Sequence, residues 1–302
     1  MNEHPFIAGD WGTTRLRLSL CKGERILDTR SGPGISALTA PPAETVTALT
    51  AEWVATHGAL PVVLCGMAGS RNGWKETPYV PCPADSASLR RALVRFEAED
   101  LRVSIVPGVS CRNRLGAPDV MRGEETQIVG ALALRPDLGI GDKLLCLPGT
   151  HTKWVWIEDG AMRHFLTAMT GELFALLRDH SMLARAGTGG SGAGDGFERG
   201  LAIDAALGPA SLTHALFAAR SRQLIDGASK DWALAFISGL LVGSDVRGAI
   251  ELFGSPREVI LIGDPALTDL YVRALRPGRV DTVSLDGGAC SLAGLRALAA
   301  TH

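Results

Sequence analysis

Phe6-Ile7-Ala8-Gly9-Asp10-Trp11-Gly12-Thr13-Thr14-Arg15-Leu16-Arg17-Leu18-Ser19-Leu20 is the stretch whose reading decides the fold. A short apolar run ends in an acid, a Gly/Thr turn follows, and 15–20 then alternate polar residues with leucine. That alternation has period two, the mark of a half-buried strand. After Lys22-Gly23, residues 24–30 read as a third strand. The same order returns further along: a buried strand at 143–147, a Gly149-Thr150 turn, and strands at 153–157 and 162–166. Three strands followed by helices alternating with strands, occurring twice, predict two related α/β domains with mixed sheets, 1–135 and 136–302.

Outward from these meanders, helices are expected at 43–56, 86–98 and 124–134, with strands at 61–66 and 102–107. In the second half helices are expected at about 171–179, 197–207, 211–220, 233–252, 267–275 and 291–299. Strands are expected there at 258–262 and 280–283. Residues 187–196 (GTGGSGAGDG) are too glycine-rich for regular structure and read as a mobile surface loop.

The chain has 302 residues, 46% of them apolar and 21% charged, so packed cores are expected rather than disorder. A formal charge of -2 gives no basic excess for nucleic acid. The amino end, MNEHPFIAGDWG, lacks the features of a signal peptide. No apolar run reads as long enough to cross a bilayer, and a cytoplasmic location is expected. The six cysteines show no CxxC or zinc spacing and read as reduced thiols.

The chemistry concentrates in a few turns. Gly12, Thr13 and Thr14 present amides and hydroxyls suited to phosphate oxygens, and Asp10 at the strand end suits Mg²⁺ held through water. Gly149, Thr150, His151, Thr152 and Lys153 occupy the matching place in the second half. Two such turns at equivalent positions outweigh either alone and fit a nucleotide gripped by its phosphates. Neither GxxxxGK[ST] nor GxGxxG is present, so this is neither a Walker loop nor a dinucleotide fingerprint. His151 by itself reads more readily as a structural hydrogen-bonder than as a catalyst.

Glu124 and Glu125 open a helix after Arg122-Gly123. Acids in a first turn suit the helix dipole, and one of them also suits a base that accepts a proton from an attacking hydroxyl. Adjacent helical residues point about 100° apart, so only one can readily face a ligand. Glu125 is the first choice, Glu124 the reserve and Asp10 a further possibility. The loop Ser70, Arg71 and Asn72 after a buried strand fits hydroxyls and a carboxylate, with Arg15 and Arg122 as further cations. Glu172 fits sugar hydroxyls or a helix start. Gly263, Gly287 and Gly288 lie in strand-to-helix turns where a flat base can approach the backbone.

AGDWGTTRLRL, CGMAGSRNGW, VMRGEETQIVGAL, LPGTHTKWV and MTGEL, in this order, resemble the 2-dehydro-3-deoxygalactonokinase family over nearly the whole chain. The resemblance implies an ATPase fold of duplicated ribonuclease-H-like domains, shared with actin, around an interdomain cleft. It implies ATP and Mg²⁺ as cofactors, and γ-phosphate transfer to the 6-hydroxyl of 2-dehydro-3-deoxy-D-galactonate in galactonate breakdown. MRGEET also resembles the glutamate-bearing helix start of exopolyphosphatases, whose proposed base falls on Glu125. The turn Gly263-Asp264-Pro265 departs from the Gly-Thr-Ser-Leu pattern of relatives. The competing readings are an exopolyphosphatase-like phosphohydrolase, a kinase of another sugar acid, or a nucleotide-binding module without catalysis. Expected partners are a small sugar acid and, at most, a second copy in a homodimer, with neither nucleic acid nor membrane.

Overall fold

The structure, a computed structural model, describes residues 4–99, 101–183, 193–208 and 212–299. It opens with the expected meander: β1 (Phe6–Trp11), β2 (Arg15–Lys22) and β3 (Arg25–Pro33), each antiparallel to the next. Then come α1 (Pro42–His57), β4 (Pro61–Gly66), β5 (Tyr79–Pro81), α2 (Ser86–Arg91), β6 (Val94–Ala98) and β7 (Leu101–Ile105). β8 (Gly108–Arg112), β9 (Pro118–Met121) and α3 (Glu124–Leu134) follow. The second meander is β10 (Asp142–Leu147), β11 (Thr152–Glu158) and β12 (Ala161–Ala168). After it come α4 (Thr170–His180), α5 (Ala193–Leu207), α6 (Leu212–Ile225) and α7 (Lys230–Phe253). The chain ends with β13 (Glu258–Gly263), α8 (Pro265–Leu275), β14 (Asp281–Asp286) and α9 (Gly287–Ala299).

One sheet runs β3-β2-β1-β4-β7-β6 and the other β12-β11-β10-β13-β14. In both, a meander is laid down in reverse order and its first strand then pairs with a later one. That pairing is parallel for β1 with β4, β4 with β7 and β10 with β13. The shared order makes the duplication explicit, and the fold is α/β with mixed sheets, as expected.

The chain forms two compact units that interleave along the sequence. Met1–Lys143, Val155–Phe165 and Leu285–His302 make the first, and Leu144–Trp154 with Leu166–Ser284 make the second. The core of the first unit lies between the sheet and α1, where Ile7, Trp11, Leu16, Leu18, Val46 and Trp53 meet. Their period-two spacing on β1 and β2 sends them to one face and leaves Asp10 and Arg17, register partners, on the other. Each such side chain contributes about 1.5–3 kcal/mol when fully buried. α3 and α9 cover that other face so closely that a β-carbon at Gly130 would collide with the Cys290 carbonyl, and one at Gly294 with that of Thr126. In the second unit α7 packs against α5 and α6, with Phe236, Ile237 and Leu240 fully buried.

Several expectations need correction. The helix expected over 86–98 stops at Arg91, and Val94–Ala98 is a strand antiparallel to β7. Val94-Arg95-Phe96-Glu97-Ala98 alternates apolar and charged residues, a period-two signal that prevails over helix propensity. The three-stranded sheet β5-β8-β9 was not expected, because its strands are only three to five residues long. Of the glycine-rich stretch, residues 187–192 lie outside the described residues, whereas 193–196 open α5 rather than forming a loop. α7 is long and apolar enough by length and composition to cross a membrane, contrary to expectation. Half of its apolar window is buried inside the protein, as in a core helix. All six cysteines are free thiols.

Candidate active site

The first Gly/Thr turn is tied down from behind. The Gly12 amide donates to the Arg15 carbonyl (2.9 Å), and the Gly12 and Thr13 carbonyls accept from the amides of Ile35 and Ser36 (both 3.1 Å). The Ser36 hydroxyl donates to the Thr13 carbonyl at 2.7 Å. With its carbonyls engaged inward, the turn exposes Thr13, Thr14 and Arg15, as a phosphate-facing turn requires.

Asp10 sits beneath this turn at the end of β1, and its carboxyl bonds Ser291 and Cys65. Burial raises its pKa, the hydrogen bonds and Arg17 oppose that shift, and Glu124 adds to it. A cavity of about 360 Å³ opens beside it, bounded by Arg17, Ser19, Gly288 and Ser291 among others. Gly287 and Gly288, expected on the adenosine side, lie in the first unit, Gly288 at the cavity beside Asp10, while Gly263 lies in the second unit beside Pro148.

α3 begins at Glu124, and the two glutamates differ sharply. Glu125 is fully buried; its Oε2 accepts from the Gly123 amide (2.7 Å) and its Oε1 from the Thr126 hydroxyl (3.0 Å). Desolvation first, then the neighbouring charge of Glu124, push its pKa up to about 8. Glu124 is partly exposed and accepts from the Arg122 amide at 3.1 Å.

Arg122 is held by Thr77, whose hydroxyl and carbonyl both accept from its guanidinium, the carbonyl at 3.0 Å. It lies 4.4 Å above the Tyr79 ring. Thr77 in turn donates from its amide to the Gly69 carbonyl (3.0 Å), which brings Arg122 against the loop after β4. Here the Arg122 Nε and the Ser70 hydroxyl are buried without a hydrogen-bond partner. Natural structures rarely leave such groups empty, and one on this loop with another beside it suits a polar ligand. Arg71 and Asn72 are exposed, and Trp74 packs inward, edge-on to Trp11 and Phe96.

The second turn has a different anatomy. Thr150 and His151 are exposed, but Thr152 and Lys153 are buried. The Lys153 ammonium donates to the His151 carbonyl at 3.0 Å. The Thr152 hydroxyl meets that of Tyr271 at 2.9 Å and so points inward, which leaves Thr150 and the main chain to face outward. α4 is laid across the turn: the Glu172 amide donates to the Thr150 carbonyl (2.9 Å), and His151 hydrogen-bonds the Glu172 carboxylate. Glu172, expected at sugar hydroxyls or a helix start, stands in the first turn of α4 with its carboxylate on His151. Sequence reading missed Thr77, Tyr79, Arg17 and Ser291, which carry no local motif, and Tyr271, which turns Thr152 inward.

With this geometry in place, comparison with known proteins decides the family. The model of the 2-keto-3-deoxy-galactonokinase family matches residues 10–298. The chain belongs to that family. A protein of Rhizobium meliloti strain 1021 named a probable 2-dehydro-3-deoxygalactonokinase is 37% identical, over 97% of this chain and 96% of its own. The 2-dehydro-3-deoxygalactonokinase of Escherichia coli K12 is 33% identical, over 97% of each. The crystal structure of a Sinorhizobium meliloti protein carrying the same enzyme name superposes with a TM-score of 0.87 at 36% identity, over 97% of this chain and 98% of that one. Membership in the 2-keto-3-deoxy-galactonokinase family makes the chain a sugar-acid kinase and disfavours the phosphohydrolase reading.

Proposed function

We propose that the chain transfers the γ-phosphate of ATP to the 6-hydroxyl of 2-dehydro-3-deoxy-D-galactonate, in galactonate breakdown in the cytoplasm. The observation that carries the substrate side is the pair of unpartnered buried donors, Ser70 Oγ and Arg122 Nε, beside the start of α3. A guanidinium fixed on Thr77 and Tyr79 suits a carboxylate, and the serine a sugar hydroxyl. Arg15, Arg71 and Asn72, all exposed, complete the donor set.

Phosphoryl transfer mostly requires positioning and charge stabilisation, with a base for the attacking hydroxyl. On this reading Glu125 is that base. Burial lifts its pKa to about 8, into the range where a carboxylate accepts protons well near neutrality. Gly12, Thr13 and Thr14 in the first unit, and Gly149 and Thr150 in the second, bind phosphate oxygens. Gly263 takes the adenosine end.

Mg²⁺ suits the carboxylates of Asp10 and Glu124. They feel one another's charge, and Arg17 is the cation that acts on Asp10. No cluster of three or more metal-ligating side chains exists among the described residues. Mg²⁺ in kinases typically needs only one or two carboxylates, because water and phosphate complete its shell. When bound, the ion would neutralise charge on the phosphates. The chain's only proposed macromolecular partner is a second copy of itself.

A coupled ADP assay with Mg²⁺ and a panel of sugar acids tests the proposal. ADP release dependent on 2-dehydro-3-deoxygalactonate is expected. Turnover only with a different acid would overturn the substrate, and phosphate release without any acceptor would overturn the kinase.

A further inference from the structure

α7 carries one acid between residues 240 and 246, Asp245, and the site described above makes no use of it. Burying a carboxylate is costly unless donors surround it. Here they do. Asp245 Oδ1 accepts from the Trp154 indole (2.9 Å), and Oδ2 accepts from the Thr170 hydroxyl and the Tyr271 hydroxyl (both 2.6 Å). The donors come from three elements: Trp154 on β11, Thr170 at the start of α4 and Tyr271 on α8. All three are nearly or fully buried.

The proton inventory gives this cluster a direction. A carboxylate only accepts, so Tyr271 spends its single proton on Asp245. The Tyr271 oxygen must then accept from Thr152, 2.9 Å away. Thr152 thereby commits its proton inward and cannot donate to a phosphate. Both ends of this chain abut the second Gly/Thr turn. Thr152 follows the turn at the start of β11. Thr170 precedes Gly171, where a β-carbon would collide with the Gly149 carbonyl and approach the Thr150 Cα to 2.8 Å.

We infer that Asp245 is a positioning residue for nucleotide: from beneath, it fixes the Gly149–Thr150 turn between β11 and α4 in the form that receives phosphate. Asp245 touches no reacting atom, and the inference rests on the reading of that turn as a phosphate site. Its consequence is selective. A loosened turn lowers affinity for ATP and leaves the sugar-acid loop in the first unit as it was.

The test compares wild type, Asp245→Asn and Tyr271→Phe in two measurements. Steady-state kinetics should show KM for ATP rising about tenfold in Asp245→Asn, since small misplacements of binding groups carry such penalties, while KM for the sugar acid stays within twofold. Tyr271→Phe keeps the ring and loses the relay, so it should move KM for ATP the same way by less. Calorimetric titration with a non-hydrolysable ATP analogue should report the same loss of affinity. A variant that loses only kcat in proportion to its folded fraction, or whose two KM values rise together, overturns the inference. So does unchanged analogue affinity in both variants. Failure of wild type to bind the analogue at all would instead overturn the kinase reading, so the two failures are told apart.

Discussion

Gly66 and Gly123 pass so close that a β-carbon on Gly123 would stand 3.4 Å from the Gly66 Cα. Both have positive φ, 74° and 109°, where side chains are strained. Gly66 ends β4 and leads into the Ser70 loop; Gly123 precedes α3 and donates its amide to Glu125. The crossing therefore ties the Ser70 loop to the candidate base. Gly123→Ala should cost about 1–2 kcal/mol in a denaturation experiment, mostly from the forced φ. It should cut kcat/KM by more than that destabilisation explains, and a variant of wild-type activity would disconnect the crossing from function.

Glu125 predicts a pH signature. Its folded pKa, about 8, lies above its unfolded value of 4.5, so between these limits the native state holds a proton that the unfolded chain has released. Its stabilising contribution is complete below pH 4.5, declines through the window and is gone above pH 8. Glu125→Gln keeps the neutral shape and should flatten this part of the stability–pH curve. Thermal melts at pH 5, 7 and 9 for both proteins would show it, and parallel curves would contradict it.

The same substitution reads the chemistry. If Glu125 accepts the hydroxyl proton, wild-type kcat rises with pH toward 8 as the carboxyl ionises. Glu125→Gln should lose about 10²–10⁴-fold in kcat, the usual size of a general-base effect. Glu124→Gln measured beside it serves as the comparison. A larger loss there would move the base to the more exposed neighbour.

Ser70→Ala separates ligand binding from folding. Its hydroxyl is buried with no partner, so removing it from the free protein should leave Tm unchanged or raise it. The same change should raise KM for the sugar acid several-fold and leave KM for ATP alone. A drop in Tm without a change in KM would show that the hydroxyl serves the fold.

Much of this was legible in the sequence, for identifiable reasons. The leucine alternation of β2 and the acid at the end of β1 are local signals, and both meanders appear where they announce themselves. PVVLCG and EETQIVGALAL form their elements at the expected bounds. What stayed hidden depends on distant partners. Nothing around Thr77 tells that it holds Arg122, 45 residues away. Nothing around Asp245 tells of the donors that satisfy it, which lie 26 to 91 residues off. The inward turn of Thr152 likewise depends on Tyr271, 119 residues later. The relative depth of Glu124 and Glu125 depends on how α3 packs in the fold, which the helix dipole does not foretell.

α9 has a consequence for biosynthesis. Residues 285–299 are translated long after β1, β2 and β4, yet they cover the sheet those strands form and supply Ser291 to Asp10. Until they emerge from the ribosome, the nascent first unit lacks α9 over β1 and α3. Vectorial maturation of that unit is therefore delayed, and a message cut short before codon 285 yields a polypeptide with both glycine-threonine turns present and the Asp10 carboxylate without its Ser291 partner.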